Sequence, residues 1–339
     1  MKHAICTLFV FVTLLVSLPL YSQQRTIYFD PQQKIYYADA NDRSIRALPV
    51  RDNIYVIVGA GANITVQTGD DGVLVVDSGS GAVTNEKVQG LLRQISSKPV
   101  RYILNTSFRA DHTGGNDALK IAAAPVGRGG GGGGGRGAVN GRGGIPIVAH
   151  ENVLARMSAP TGKAAPTPTD AWPTQTFHTS HEDLYFNAES IQLLHVDNAV
   201  TDGDSMVYFR RSDVVSAGDI FLTTTYPMID VKSGGSINGI ISGLNLLLDI
   251  TIPKEKQEGG TMVIPGRGRI CDEADVLEYR DMLTIVRDRI QDAIKKGKTL
   301  QEIQAANLTK DYDPRYGAKS GSWTTAMFIE AAYQSLVKK

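Results

Sequence analysis

Three short runs of β-branched and aliphatic residues follow one another within 24 positions: Ile54–Val58, Ile64–Thr68 and Val73–Asp77. Runs this short, bounded by glycine and polar residues, predict strands rather than helices. Gly69-Asp70-Asp71-Gly72 supplies a hairpin turn between the last two. Val88, Leu91, Leu92 and Ile95 then fall at helical spacing, which predicts an amphipathic helix from Thr84 to Ile95. A fourth run, Val100 to Leu104, follows it. A meander that passes into a strand–helix–strand unit requires a sheet with helices laid on its outer face. The fourth strand empties into a polar loop, Asn105 to Asn116, the kind of place where α/β proteins keep their chemistry.

That loop offers Asp111 and His112 side by side, a carboxylate and an imidazole of the types that divalent metals take. The 339 residues are 42% hydrophobic and 21% charged, enough for one large or two small domains with a full core. Formal net charge is zero, so no nucleic-acid partner is expected.

The apolar run from Ala4 to Leu20, with Lys2 before it and Ser22 after it, reads as a secretory signal occupying 1–22 and cleaved near Ser22. An uncleaved anchor is the alternative, since 17 residues is the short limit for a span. With cleavage, the chain is exported, to the periplasm or beyond the cell, and keeps no stable membrane span. Cys6 lies in the signal and Cys271 is then the one remaining thiol, so no internal disulfide forms. Cys271 is expected to be an ordinary packed thiol.

Residues 23–50 are polar and mixed and read as an N-terminal extension lying on the domain. Residues 51–270 form the domain proper. Within it, 127–144 holds twelve glycines and three arginines, Arg128, Arg136 and Arg142, and reads as a flexible insertion with little to bury. The spacing of a phosphate loop is missing there. Order resumes at Ile145 with a strand entering a helix. Residues 158–176 read as a loop, and Ile191–Val196, Ser205–Phe209, Val214–Ala217 and Thr261–Ile264 as strands. Ile237 to Ile250 is a strongly apolar helix. Residues 271–339 form a helical segment packed on the domain, with a dimer surface as the alternative reading. Asp272 caps its first helix, Gly297 ends it, and Thr299 with Glu302 forms a capping box for the second.

The loop Asn105-Thr-Ser107-Phe-Arg109-Ala-Asp111-His112-Thr-Gly-Gly-Asn116 resembles the metal loop of the metallo-β-lactamase superfamily, Thr-His-x-His-x-Asp-His-x-Gly-Gly-Asn. Four further stretches resemble the same family in order: Leu74-Val-Val-Asp77, Asp202-Gly-Asp204-Ser-Met-Val-Tyr-Phe, Ser216-Ala-Gly-Asp219 and Ile264-Pro-Gly-Arg267-Gly. The resemblance implies an α/β fold, the four-layer αβ/βα sandwich, here with extra C-terminal helices. It also implies a dinuclear zinc centre, and there the chain departs from the pattern. Ser107, Arg109 and Val200 stand where the three histidines of one metal belong. Asp111 and His112 keep their places at the other metal, Asp219 keeps the bridging place, and Arg267 replaces the last histidine.

Serine is a poor zinc ligand, valine is none, and a guanidinium has no lone pair to give. Two arginines would instead supply the countercharge that Asp111 and Asp219 lose with the metals, so Arg109 or Arg267 is expected to pair with Asp111 or Asp219. The favoured expectation is a non-catalytic member, without a metal cofactor, that binds an anionic small molecule in the old cleft through Arg109, Arg267 and Ser107. A second reading is an ester, lactone or phosphoester hydrolase using one zinc or other divalent ion on Asp111, His112 and Asp219. A third is an interaction protein acting through the Gly/Arg loop or the helical tail. A Ser107–His112–Asp arrangement matches no familiar spacing. His178 and His181 fall in a polar loop ahead of a strand and His195 at a strand end, and these and His150 are expected to be surface or structural residues.

Overall fold

The computed structural model describes residues 29–30, 35–39, 44–122, 144–158, 163–257 and 259–337. The signal expected at 1–22 and the Gly/Arg tract up to residue 143 lie outside the described residues. Among the described residues no helix is long and apolar enough to cross a membrane.

Alternation along the strands builds two sheets back to back. The first sheet has nine strands in sequence order: β1 (Phe29–Asp30), β2 (Ile35–Tyr37), β3 (Arg46–Arg51), β4 (Ile54–Val58), β5 (Ile64–Gly69), β6 (Gly72–Val76), β7 (Val100–Leu104), β8 (Ile147–His150) and β9 (Gln175–Phe177). It is antiparallel as far as β6 and parallel from β6 to β9. The second sheet has five strands: β10 (His181–Phe186), β11 (Glu189–His195), β12 (Ser205–Phe209), β13 (Val214–Ser216) and β14 (Met262–Ile264), the last pair parallel.

Strand β6 is buried along its whole length because it faces two cores. Leu74 and Val76 point into the layer between the sheets, where they meet Phe186, Leu193, Val207 and Phe209. Val73 and Val75 point the other way, onto Val88, Leu91 and Leu92 of α1 (Ala82–Ile95). A side-chain period of two against a buried sheet on both faces produces this division. Truncating Leu74 to Ala would cost about 2–5 kcal/mol, as for other filled cores.

Short helices α2 (Ala110–Thr113), α3 (Asn116–Ala122) and α4 (Glu151–Met157) follow the parallel strands. The outer face of the second sheet is covered by α5 (Ile237–Ile250) and by the tail helices α6 (Glu273–Lys295), α7 (Leu300–Ala305), α8 (Asp313–Tyr316) and α9 (Thr325–Val337). Val276, Tyr279, Leu283, Val286 and Phe328 of the tail pack against Val215 and Val263 of that sheet in one cluster. The result is the four-layer αβ/βα sandwich. The expected caps are present: Asp272 and Asp275 form a capping box, as do Thr299 and Glu302, and Gly297 takes positive φ.

Two segments differ from their expected form. The stretch taken as an extension on the domain enters the first sheet, with β3 pairing along β4 from Arg46↔Val58 to Arg51↔Ile54. Its residues are polar because this margin of the sheet is only half covered. The polar loop expected around His181 is instead edge strand β10, paired with β11 through a turn at Asn187 and Ala188. Its mostly exposed side chains leave no hydrophobic alternation to read.

Candidate functional site

The two parallel pairs, β6–β7 and β13–β14, deliver their C-terminal ends to one place, as α/β sheets do at binding sites. Asp77 follows β6 in the left-handed region, with φ 64°. That turn aims its carboxylate across at β7. One oxygen accepts from Thr106 N at 2.8 Å, the other from Thr106 Oγ1 at 2.7 Å and from His112 Nδ1 at 2.8 Å. His112 is fully buried in the short loop helix α2. The bond to Asp77 fixes the ring's orientation and turns Nε2 toward Asp219, whose Oδ2 lies 3.3 Å away. Burial works against charge on this imidazole, but Asp77 and Asp219 on either side outweigh it and hold its pKa well above the ordinary value.

The Gly-Gly-Asn end of the loop is the frame that holds His112 in place. A Cβ on Gly115 would lie 2.3 Å from Ser78 O. Asn116 bridges Ser78, Asn105 and Ala171 through its amide. After β13, Gly218 with φ 54° turns the chain so that Asp219 points into the site. After β14, Gly266 lies so close that a Cβ there would sit 2.4 Å from Asp219 Oδ1 and 2.7 Å from Gly218 O. Asn63 pins this last turn, donating its side-chain amide to Pro265 O at 2.9 Å and its backbone N–H to Gly266 O at 2.8 Å.

Both arginines turn inward. Arg267 Nη2 donates to Asp111 Oδ2 in a short hydrogen bond, and Nη1 donates to Gly61 O at 3.2 Å. Arg109 Nε lies 3.6 Å from Asp111 Oδ1 and 3.5 Å from Asp219 Oδ2. The pairing expected from the sequence is therefore present at both positions. Burial would push the Asp219 carboxyl up, yet His112, Arg109 and Arg267 together bring it down from 3.8 to about 2. Nearby Asp204, buried and facing the charge of Asp219, is pushed up to about 6 despite hydrogen bonds from Thr201.

Val200 has left the polar site. It is wholly buried in the apolar cluster with Ile237 and Ile240. Four buried polar atoms remain without a well-formed hydrogen bond: Ser107 Oγ, Arg109 Nε, His112 Nε2 and Asp219 Oδ1. Sequence reasoning had not assigned Asp77, Thr106 or Asp204 a place in the site. The signal was available in Asp77, an acidic residue closing a wholly apolar strand. His178 and His181 are exposed, whereas His150 and His195 stack ring on ring at 3.6 Å between the two sheets. Cys271 is buried, with its thiol pushed up to about 12 by burial. That disfavours the thiolate.

The family model of the metallo-beta-lactamase superfamily matches residues 57–267, more than half of the chain. The chain belongs to the metallo-β-lactamase superfamily. Among solved structures it is similar to the stereoselective inverting sec-alkylsulfatase Pisa1 from Pseudomonas sp., at 15% identity and TM-score 0.62, covering 88% of this chain and 51% of that one. The chain thus spans about half the length of the sulfatase. It is also similar to a metallo-beta-lactamase from Pontibacter korlensis, at 13% identity and TM-score 0.52, covering 71% of this chain and 99% of that one. DIM-1 metallo-beta-lactamase gives 14% identity and TM-score 0.52, covering 71% and 97%. At such identities these likenesses concern the fold alone. No curated protein matches the chain in sequence.

Zinc is the usual cofactor of the superfamily, so the fit of these residues to metal matters. For a dinuclear centre they do not fit, since Ser107, Arg109 and Val200 contribute no imidazole and Val200 sits in the core. For a single ion, the ligand atoms of Asp111, His112 and Asp219 lie within 4.8 Å of one another. Two guanidiniums already stand against those carboxylates, and their charge opposes a divalent cation there.

Proposed function

We propose that this superfamily member has exchanged its dinuclear zinc centre for cations of its own chain, and that it binds a small anionic ligand rather than hydrolysing one at a metal pair. The observation that carries this reading is the placement of Arg109 and Arg267 on Asp111 and Asp219. With the His112 imidazolium between Asp77 and Asp219, three side-chain cations face three carboxylates where metal ions would otherwise balance them. The reading takes the chain to be exported, from its N-terminal apolar run.

An anion has groups left to meet. A guanidinium carries five N–H donors, and Arg267 directs only Nη1 and Nη2 inward while 41% of its side chain remains exposed. Arg109 Nε and Ser107 Oγ lie deeper with no well-formed bond. Planar forks of this kind suit carboxylate and phosphate groups.

The test is thermal unfolding of the full chain with phosphate, sulfate and small carboxylates at constant ionic strength. A saturable rise in Tm that Arg267→Gln removes is the expected result. Absence of stabilisation by every small anion would overturn the reading.

A second reading has its own observation, the 4.8 Å cluster of Asp111, His112 and Asp219. A single divalent ion there would supply Lewis-acid chemistry for hydrolysis. Asp111→Ala separates the two readings: a hydrolase loses its activity, whereas a binding protein changes chiefly in stability.

A further inference from the structure

The first sheet has nine strands and the second five. Strands β3 and β4 pair antiparallel in the first. Their register places Arg46 opposite Val58 and Leu48 opposite Val56, and a side-chain period of two puts all four on one face. Val56 is buried in the layer between the sheets, while Leu48 and Val58 pack at its margin, half-buried. The chain after β14 returns over them and contributes Ile270 to the same margin.

Between these walls lies an open cavity of about 780 Å³. The size is that of a small-molecule site. Its apolar floor is Leu48, Val56, Val58 and Ile270, and its cations are Arg46, Arg267 and Arg269. No Asp or Glu is among the described lining residues. The inner end reaches the candidate site through Arg267, which touches both the cavity and Asp111. Arg269 is steadied by Asp275 through both terminal nitrogens, and Asn63 holds the returning loop by Pro265 O and Gly268 O.

We propose that this groove binds a small amphiphilic anion: a carboxylate or sulfate head at Arg267 with a short alkyl chain laid along Leu48, Val58 and Ile270. The proposal deepens the anion-binding reading above and rests on it. Charge complementarity selects the head, because Arg267 keeps 41% of its side chain exposed beside its bond to Asp111 and no Asp or Glu is among the described lining residues. The apolar margin selects the chain, because half-exposed aliphatic side chains gain when an alkyl group covers them. A purely inorganic anion would leave that margin wet, and a neutral chain would offer no charge to the outward N–H groups of Arg267.

The experiment is calorimetric titration of the full chain with butanoate, octanoate and 1-octanol. Each methylene laid in the groove should tighten Kd by about two- to fourfold, depending on how completely it is covered. Octanoate should therefore bind at least about tenfold tighter than butanoate, and 1-octanol should bind more weakly than octanoate. Val58→Asn and, separately, Ile270→Ser should shrink the chain-length dependence without abolishing butanoate binding, and Arg267→Gln should weaken both acids. Equal binding of butanoate and octanoate would overturn the groove proposal and leave the anion reading standing. Octanol binding as tightly as octanoate would overturn the role given to the arginines. Failure of both acids to bind would overturn the groove proposal, and the anion reading would fall with it only if phosphate and sulfate also failed to stabilise the chain.

Discussion

Replacing Arg109 with Gln removes one of the cations that face Asp219 while keeping a polar side chain of similar reach. Asp219 is 5% exposed and its carboxyl sits at about 2 instead of 3.8. Holding it there stabilises the folded chain by ~2 kcal/mol at neutral pH. The sign follows from the lowered value: the contribution is complete above the unfolded pKa and fades as pH falls from 3.8 through about 2. His112 stands ahead of Arg109 among the groups that lower Asp219, so Arg109 supplies only part of this sum. It also faces Asp111 at 3.6 Å, and removing one partner of a buried pair leaves the other uncompensated. A destabilisation of about 1–2 kcal/mol at pH 7 is expected for Arg109→Gln, at the low end for buried pairs because its contacts exceed hydrogen-bond length. Urea unfolding at pH 7 and at steps down to pH 3 reads it directly. The gap between the two proteins should narrow on the acid side, as Asp219 begins to take up protons. A variant as stable as the wild type at pH 7, or a gap unchanged with pH, would refute the assignment of Arg109 as countercharge.

Other consequences can be checked in the same protein. His150 is lowered below its ordinary value by burial and by stacked His195, against the raising effect of Glu151, Asp197 and Asp202. Its contribution to stability is therefore complete above about pH 6.5 and falls as the solution is acidified below that value; His195→Phe should flatten this part of the stability curve, and an unchanged curve would count against the stack as its cause. Gly266→Ala should destabilise the fold by about 2 kcal/mol or more in urea unfolding, because the new methyl meets Gly218 O as well as the Asp219 carboxylate. A neutral result there would mean that the turn after β14 has room the structure does not show.

Much of this arrangement was legible in the sequence because it rests on strong local signals. The apolar runs of β4 to β7 and the spacing of α1 give strands and a helix with little competition from other patterns. The pairing of Arg109 and Arg267 with Asp111 and Asp219 was legible as chemistry, since a guanidinium beside a buried aspartate has few other places to put its charge. What escaped was carried by tertiary context. Strand β10 is polar because it is an edge, and β3 enters the sheet through its partner β4 rather than through its own alternation. Asp77 became part of the site only when its positive φ turned the carboxylate under His112. The stacking of His150 on His195 joins strands of different sheets, β8 and β11, so nothing in either local segment announces it.

The most direct test of the account is the metal content of the purified protein after incubation with excess zinc or manganese and desalting. A site balanced by Arg109, Arg267 and the His112 imidazolium should retain no metal while the chain remains folded. Retention of near-stoichiometric metal that disappears in Asp219→Ala would contradict it and make the single-ion hydrolase the working description.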